Sequence, residues 1–443
     1  MSLSQRWQEV RQGFEPAFWV ANITELFERL SFYGVQAVLA VYLHENLRFS
    51  EAQAGDLIGF FSAVVWFLPI LGGTLADRVG FRRALAVAYL VLALGYFLIG
   101  SLGSAWMAPL REAIPLYWLM LVILAIPALG PAVVKPCVVG TTARASTENV
   151  RSLGYSIYYT LVNVGGMLGP LVAYAVRRSI GIENVFRVCA ASVLLMSLAT
   201  ILFFKEPSRS GEQKVSSFVE AFRNMFVVLR NFKFMLFLVL FSGYWILFWQ
   251  EFISLPLFIR DVNPQADVDL LLTVDPLVVI LLQIAVSFLT RKLRAFSAMV
   301  LGFLITSLAW LFLAWGDMSW QINTAWQIGG WEIAVQGLPW MAVFALMGVA
   351  LGEMVQSPRF YEYVSRLAPP GQQGTYMGYS FLPIAIGSLL AGVIGGRLVH
   401  YYREVVGQPQ RLWLVITGIG LASTLLLWIY DRVVKPPETS KAA

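Results

Sequence analysis

Cysteine and histidine are almost absent from this sequence, which has two of each among 443 residues. Cys137 and Cys189 fall in different apolar segments, where a thiol usually packs as a small apolar side chain. We therefore expect neither a disulfide nor a metal site. His44 and His400 fall at the ends of apolar segments, so carboxylates must carry any proton that moves through the middle of the protein.

Charged residues are also scarce. They make up 13% of the chain against 58% hydrophobic residues, and the mean hydropathy is +0.69. These values are far from those of a soluble domain and predict a polytopic protein embedded in a lipid bilayer. No nucleotide-binding GxxxxGK[ST] motif and no pairing of nucleophile and base occurs in the sequence. We expect no enzymatic activity, no cofactor and no use of ATP.

A helix needs about 20 mostly apolar residues to cross a bilayer. Twelve segments, numbered here as spans 1 to 12, meet this requirement: 17–44, 54–77, 83–103, 116–143, 153–177, 186–205, 234–260, 268–290, 296–316, 339–366, 373–400 and 410–433. The sequence therefore predicts an all-α membrane protein with twelve transmembrane helices. Because twelve is even, both termini lie on the same side.

Basic residues indicate which side this is. With a cytoplasmic N-terminus, 20 of the 32 Lys and Arg residues lie on the cytoplasmic side and nine on the outer side. This follows the positive-inside rule, so we predict a cell-membrane protein with both termini in the cytoplasm. The pI of about 9.3 then reflects cytoplasmic loops and implies no binding of nucleic acid. No cleavable signal peptide is apparent.

An internal repeat relates the two halves. Span 4 contains ALGPAVVKP (Ala128–Pro136) and span 10 contains ALGEMVQSP (Ala350–Pro358), and spans 5 and 11 then begin with GYSI and GYSF. The halves are therefore predicted to be parallel six-helix repeats. The expected division is an N-terminal bundle over 1–205, a cytoplasmic linker over 206–233 and a C-terminal bundle over 234–443. We expect a monomer.

Three charged side chains occur in span 1, within TELFERLSFYG. Each one placed at the bilayer centre costs about 3 kcal/mol, so Glu25, Glu28 and Arg29 must face the interior of the protein. Helical spacing aligns these three in one stripe, which continues through Phe32, Tyr33 and Gln36. Intramembrane charges usually mark function, and a static ion pair that only fixes packing is the alternative.

The segment after span 2, GGTLADRVGFRR (Gly72–Arg83), resembles the G-x-L-A-D-R-x-G-R-R motif of the major facilitator superfamily. Asp77 and Arg78 lie at a helix end, where they can latch two helices in one conformation and release them in another. An ordinary basic loop is the alternative. The resemblance implies a solute site near the bilayer midplane and alternating access by rocking of the halves.

Four motifs resemble those of the proton-dependent oligopeptide transporters, a branch of this superfamily. ELFERLSFYG in span 1 is similar to E-x-x-E-R-F-S-Y-Y-G, and Lys135 with Pro136 resembles the F-K-P-N segment of helix 4. YYTLVNVGG in span 5 is similar to F-Y-x-x-I-N-x-G, and GEMVQSP in span 10 resembles G-E-x-x-x-S-P. The last two motifs put Asn163 and Glu353 at positions where the family has substrate-contacting residues.

The resemblance implies a mechanism based on proton coupling. A protonatable Glu of span 1, Glu25 or Glu28, would pair with Lys135, protonation would break the pair, and substrate binding would replace it. The predicted proton-coupling residues are Glu25, Glu28, Arg29 and Lys135. Protons are the expected coupling ion. Alternatively, Lys135 snorkels toward the headgroups.

The predicted substrate-binding residues include several departures from the family. They are Tyr33, Gln36, Trp66, Asn163, Trp249, Asp275 and Glu353. Gln36 replaces a family Arg, Trp66 a Tyr, and Trp249 the amine-binding Glu of helix 7, while Glu251 is displaced two positions and about 200° around a helix. Ser380 replaces a Trp. Both ends of the family's peptide clamp are thus altered.

Asp275 stands where the family has Asn, just before Pro276. Three interpretations are open. Asp275 is neutral and binds a second proton, or it is ionised and supplies the charge missing at Trp249, or it is protonated and hydrogen-bonds as Asn would. We favour the ionised state, as a counter-charge for an amine on the solute.

These features predict a proton-coupled symporter that imports a small organic solute, with peptides or peptide-like molecules as the nearest class. A proton/drug antiporter is the alternative, because GGMLGP (Gly165–Pro170) partly resembles an exporter motif, although small residues also serve close helix packing. A receptor or scaffold of the same fold is a further alternative. The Trp-rich segment 320–337 is expected to form an outer loop or hairpin at the membrane interface.

Overall fold

A computed structural model describes residues 13–70, 79–207, 226, 228–328, 331–368 and 373–434. Helices dominate these residues, and eleven of the helical segments are long and apolar enough to cross a membrane. A twelfth, span 2, is described only in part. The prediction of a twelve-helix membrane protein is confirmed, with one addition, a β-hairpin.

The helices of the first half follow the predicted spans closely. They are α1 Pro16–Val41, α2 Glu51–Phe67, α3 Phe81–Ser101, α4 Ala108–Ala113, α5 Leu116–Arg144, α6 Arg151–Ile180 and α7 Ile182–Phe203. A π-helical turn, Tyr42–Asn46, extends α1. Long apolar runs fix these helices, because a backbone in lipid must satisfy its hydrogen bonds within the segment.

The second half contains more interruptions than the apolar pattern predicts. Its helices are α8 Phe232–Phe248, α9 Ser254–Val262, α10 Val268–Leu271, α11 Val274–Thr290, α12 Ala295–Ala309, α13 Leu311–Trp315, α14 Trp340–Leu367, α15 Gln373–Tyr379, α16 Leu382–His400 and α17 Leu412–Val434. Spans 7, 8, 9 and 11 are therefore each formed by two helices. Hydropathy cannot detect such breaks, since the residues on both sides remain apolar.

The Trp-rich segment, which the sequence predicts to form a loop or a hairpin, forms a β-hairpin. Strands β1 (Gln321–Ile328) and β2 (Trp331–Pro339) pair antiparallel, with an irregularity between Ile322 and Thr324. The carboxylate of Asp267 accepts a hydrogen bond of 3.0 Å from the backbone of Gln336, which ties the hairpin to the segment between α9 and α10.

The chain divides into two compact units. The first unit contains Met1–Val35 and Val64–Asn224, and the second contains Gln36–Ala63 and Met225–Ala443. The second unit thus includes the end of α1 and the beginning of α2. The division predicted from the sequence stays a prediction. It has an N-terminal bundle over 1–205, a cytoplasmic linker over 206–233 and a C-terminal bundle over 234–443.

Glycines explain why the beginning of α2 packs within the second unit. A Cβ atom on Gly55 would lie 2.4 Å from the carbonyl oxygen of Gly392, and one on Gly59 would lie 3.0 Å from that of Leu389. Only glycine permits helix backbones to approach this closely. Residues of α2 and α16 therefore form a tight interface inside the second unit.

Candidate functional site

The charged residues of α1 face the protein interior, as the sequence predicts. Glu25, Glu28 and Arg29 are each at most 1% exposed. On the other side of the same helix, Ile23 and Phe27 are 48% and 37% exposed. The helix therefore turns its apolar side chains outward and its charges inward, which avoids the cost of a charge in lipid.

Arg29 engages Glu28 more closely than Glu25. Its Nε and Nη2 atoms donate hydrogen bonds of 2.5 and 2.6 Å to the two carboxylate oxygens of Glu28. The distance from Nε to the nearer oxygen of Glu25 is 3.5 Å, and neither oxygen of Glu25 accepts a hydrogen bond from the described residues. The guanidinium also lies over the ring of Phe32, 4.9 Å from its centroid. Glu25 is therefore the carboxylate with spare hydrogen-bonding capacity.

Lys135 of α5 joins this cluster. It lies within electrostatic reach of Glu25, Glu28 and Arg29, and its ammonium is 4.0 Å from the centroid of the Trp66 ring. The four residues predicted to couple protons are thus brought together in the first unit. Trp66 was predicted to bind substrate, and the structure places its ring against Lys135.

Two glycines of α6 bring that helix against the charged part of α1. A Cβ atom on Gly165 would lie 2.7 Å from the carbonyl oxygen of Leu26 and 2.8 Å from the Cβ atom of Arg29. One on Gly169 would lie 2.5 Å from the carbonyl oxygen of Leu30. Real side chains do not fit at these distances. The GGMLGP segment therefore serves close helix packing, which is the simpler of its two interpretations.

The sequence analysis did not single out two tyrosines of α3. Tyr89 and Tyr96 are fully buried, and they act electrostatically on Glu25 and Glu28, respectively. Their spacing of seven residues puts both on one face of α3, opposite the charges of α1. A buried Tyr still carries a polar hydroxyl. Two Tyr residues seven positions apart in an otherwise apolar span are the sequence signal that could have identified them.

Of the other predicted residues, Tyr33 lies within electrostatic reach of Arg29. The ring of Tyr33 contacts that of Phe32, with 5.3 Å between centroids. Asn163 donates a 2.9 Å hydrogen bond to the carbonyl of Tyr159 in its own helix. Gln36 is buried in the second unit, where its amide lies 3.5 Å from the hydroxyl of Ser62. Asp77 and Arg78, the predicted latch, lie outside the described residues.

The second unit contains a separate group of acids. Asp275 is 5% exposed and Glu251 is 1% exposed, and the charged groups that act on them are each other and Glu353. One oxygen of Asp275 and one of Glu251 accept no hydrogen bond from the described residues. Helices α11 and α14, which carry Asp275 and Glu353, pack through an apolar cluster: Val278, Val279, Ala350 and Met354.

The position of Asp275 differs from the one that the sequence suggested. Instead of lying inside a continuous span, Asp275 is in the first turn of α11, which begins at Val274 after the break from α10. The unpaired N–H groups at a helix start favour a negative charge. Burial beside other acids opposes such a charge, so the ionised state that the sequence analysis favours stays a prediction.

Glu251 belongs to this group, contrary to the expectation that it points about 200° away from the position of Trp249. That expectation assumes a continuous α-helix, whereas α8 ends at Phe248 and Trp249–Glu251 form a 3-10 turn. Trp249, predicted to bind substrate, is 2% exposed and packs against Phe248 and Phe252. The structure buries the Trp249 ring among aromatic side chains and places Glu251 within electrostatic reach of Asp275.

Both histidines of the chain contact one carboxylate at the predicted outer helix ends. Glu51 accepts a 2.8 Å hydrogen bond from Arg403, and its oxygens lie 3.3 Å from the ring of His400 and 3.7 Å from that of His44. Arg403 also pairs with Asp261 at 3.1 Å. Although burial opposes ionisation, the hydrogen bond from the Glu51 backbone and these neighbours hold the pKa of Glu51 below its usual value.

Two further ion pairs reinforce this region of the second unit. Arg260 donates two hydrogen bonds of 2.7 Å to Glu45, and Arg397 donates bonds of 2.6 and 3.1 Å to Asp56. Paired Arg–carboxylate hydrogen bonds of this type fix orientation as well as distance. The end of α1 and the start of α2 are thus fastened to α9 and α16.

Comparison with known proteins agrees with this architecture. The sequence matches the family model of the Major Facilitator Superfamily over residues 22–356, and the chain belongs to this superfamily.

Among its relatives is dipeptide and tripeptide permease B of Shigella dysenteriae serotype 1, which is 26% identical over 95% of this chain and 97% of the permease. The multidrug resistance protein MdtH of Aeromonas hydrophila subsp. hydrophila is 24% identical, over 92% of this chain and 94% of MdtH.

Solved structures share the fold. A POT family transporter in complex with a thioalcohol-conjugated peptide has a TM-score of 0.72 and 16% identity, with 95% of this chain and 96% of that chain covered. The nucleoside transporter NupG has a TM-score of 0.75 and 13% identity, with 94% and 99% covered. The predicted major facilitator fold is confirmed. The permeases and transporters among these relatives are not enzymes, in agreement with the prediction for this chain.

Proposed function

We propose that this protein is a proton-coupled symporter that imports a small organic solute, with peptides or peptide-like molecules as the substrate class, by alternating access. One observation carries the proposal: the buried cluster of Glu25, Glu28, Arg29 and Lys135 in an apolar helix bundle. Charges at membrane depth are costly, and those that occur there usually serve a function such as transport. The resemblance to dipeptide and tripeptide permeases supports the substrate class.

Within the cluster, the geometry favours Glu25 as the residue that takes up the proton. Glu28 is held by two short hydrogen bonds from Arg29, so its protonation would weaken the ion pair and disturb at least one of these bonds. Glu25 can be protonated without the loss of any hydrogen bond from the described residues. Lys135 then responds, because it loses one of the negative charges within its reach.

The acids of the second unit support a site for an amino group on the solute. Asp275 lies at the start of a helix, which favours a negative charge, and the charged group that acts on it within the described part of the chain is the acid Glu353. A cation entering this group would therefore meet attraction from Asp275, Glu251 and Glu353. Glu353 is proposed as a solute contact, in line with the family resemblance.

A test of the function needs the purified protein in proteoliposomes with a pH-sensitive dye in the lumen. With the outside acidic, addition of a transported dipeptide should acidify the lumen and concentrate the dipeptide inside. The Glu25→Gln variant is the matched control, and it should exchange dipeptide across the membrane without proton movement. Solute binding without any flux in the parent protein would instead identify a receptor.

Proton/drug antiport is the second candidate, and the similarity to MdtH over most of both chains favours it. In the same vesicles an antiporter moves protons out of the acidic compartment as drug moves in the opposite direction. The direction of solute movement under an imposed pH gradient separates the two functions. Close helix packing accounts for Gly165 and Gly169, and the dipeptide and tripeptide permeases are among the relatives, so we place symport first.

The proposed location is the cytoplasmic membrane, with both termini in the cytoplasm, as a monomer that uses protons and no other cofactor. Both native cysteines are buried. Single cysteines introduced at the exposed positions Trp106 and Arg366 therefore report sidedness by labelling with an impermeant reagent in intact cells. We expect labelling at position 106 and protection at position 366.

A further inference from the structure

The contact between Lys135 and Trp66 is not explained by the ion pairs of the cluster. The ammonium lies 4.0 Å from the ring centroid, well inside the limit of about 6 Å for a cation–π interaction, and Trp provides the strongest ring for it. Trp66 lies near the end of α2 and Lys135 inside α5, so the contact joins two helices of the first unit.

The charged groups around Lys135 indicate in which protonation state of Glu25 the cation–π contact contributes most. Within the described part of the chain, the charged groups that act on Lys135 are three residues of α1: Arg29, Glu25 and Glu28. The hydroxyl-bearing side chain that acts on Glu25 from α3 is Tyr89. When Glu25 takes up a proton, two cations share one carboxylate, and Arg29 already donates two hydrogen bonds to it. The attraction between the Lys135 ammonium and the Trp66 ring does not depend on the charge of Glu25, so it contributes most in that state.

From this geometry we propose that Trp66 is a positioning residue for Lys135, whose ring face holds the ammonium in the proton-loaded state and so sets the proton concentration at which transport is half-maximal. The inference rests on the proposed function of proton-coupled transport. A cation–π contact corresponds to about 2- to 30-fold in an equilibrium constant. Its loss should move the pH of half-maximal uptake downward by roughly 0.3 to 1.5 units, because more protons are needed to fill the same state.

Fluorination of Trp66 tests the electrostatic nature of the contact. Site-specific incorporation of mono-, di- and trifluorotryptophan draws electron density from the ring face with little change in its shape. We expect the pH of half-maximal uptake to fall stepwise with each fluorine.

Controls separate this role from packing and from substrate contact. In a Lys135→Gln background, where no cation remains over the ring, the same fluorination should cause no stepwise shift in the pH dependence of any residual uptake. Trp66→Phe, which retains a weaker ring face, should lie between the parent and Trp66→Leu in the pH of half-maximal uptake. These aromatic and aliphatic variants also report whether the position tolerates substitution, through their yield and melting temperature.

Two outcomes would overturn the proposal. An unchanged pH profile across the fluorinated series would make Trp66 a packing residue, and a change in dipeptide affinity at a constant pH profile would make it a substrate contact. Failure of the proposed function has a different signature, since the parent protein itself would then show no proton-driven uptake.

Discussion

Replacing Glu25 and Glu28 separately by Gln should reduce stability by different amounts, and Glu25→Gln should abolish proton coupling although it costs less stability. Both residues are buried, one turn apart on α1, and both lie near Arg29. They differ in their hydrogen bonds, because Arg29 donates two to Glu28 and none to Glu25. The two substitutions are nearly isosteric and therefore control for each other.

The magnitudes follow from this difference. Glu28→Gln removes the bidentate partner of a buried guanidinium, and breaking a buried pair in this way costs about 3–5 kcal/mol. Glu25→Gln removes a carboxylate 3.5 Å from Arg29 that accepts no hydrogen bond, so the expected loss is about 1 kcal/mol or less. Glu25→Gln should nonetheless abolish accumulation of solute by a pH gradient and preserve counterflow.

The assays are unfolding of the purified variants in mixed micelles, followed by circular dichroism, and uptake in proteoliposomes. Equal destabilisation by the two substitutions would mean that Arg29 does not distinguish the carboxylates. Proton-driven accumulation by Glu25→Gln would remove Glu25 as the proton site, and the stability result would stand independently.

Three other substitutions test separate parts of the structure. Asp275→Asn should weaken binding of amine-bearing solutes by at least tenfold, as measured by thermal shift over a solute panel, and leave acidic and neutral solutes unchanged. Gly165→Ala should cost about 1–3 kcal/mol of unfolding free energy, because the new methyl group overlaps Leu26 and Arg29 of α1. The pKa of Glu51 lies below its usual value of 4.5, so its ion pairs stabilise the fold above that pH and the benefit is lost as the pH falls further. The melting temperature of the parent should therefore drop below pH 4.5, and Glu51→Gln should flatten this dependence.

Each of these predictions has an informative contrary result. Normal binding of amines by Asp275→Asn would make Asp275 a polar substitute for the family's Asn. A fully stable Gly165→Ala protein would show that α6 can move away from α1. An unchanged acid profile in Glu51→Gln would assign the loss of stability at low pH to other carboxylates.

The sequence alone determined the membrane class, the number of helices and the inward direction of the charges on α1. These follow from the cost of polar groups in lipid, which acts on every residue of a span independently of its neighbours. The four motifs also identified Lys135 as the partner of the span 1 acids, because their order along the chain is a property of the sequence.

Tertiary structure decided which side chains contact each other. Arg29 is close enough to both acids by helical spacing, yet its hydrogen bonds go to Glu28 and leave Glu25 at 3.5 Å. The breaks in spans 7 and 8 redirect Glu251 and Asp275, and they depend on packing between helices that hydropathy does not record. The ring of Trp66 contacts Lys135 across two helices that lie far apart in sequence. Such contacts arise only when the helices have packed, because their energies belong to pairs of residues and not to single positions.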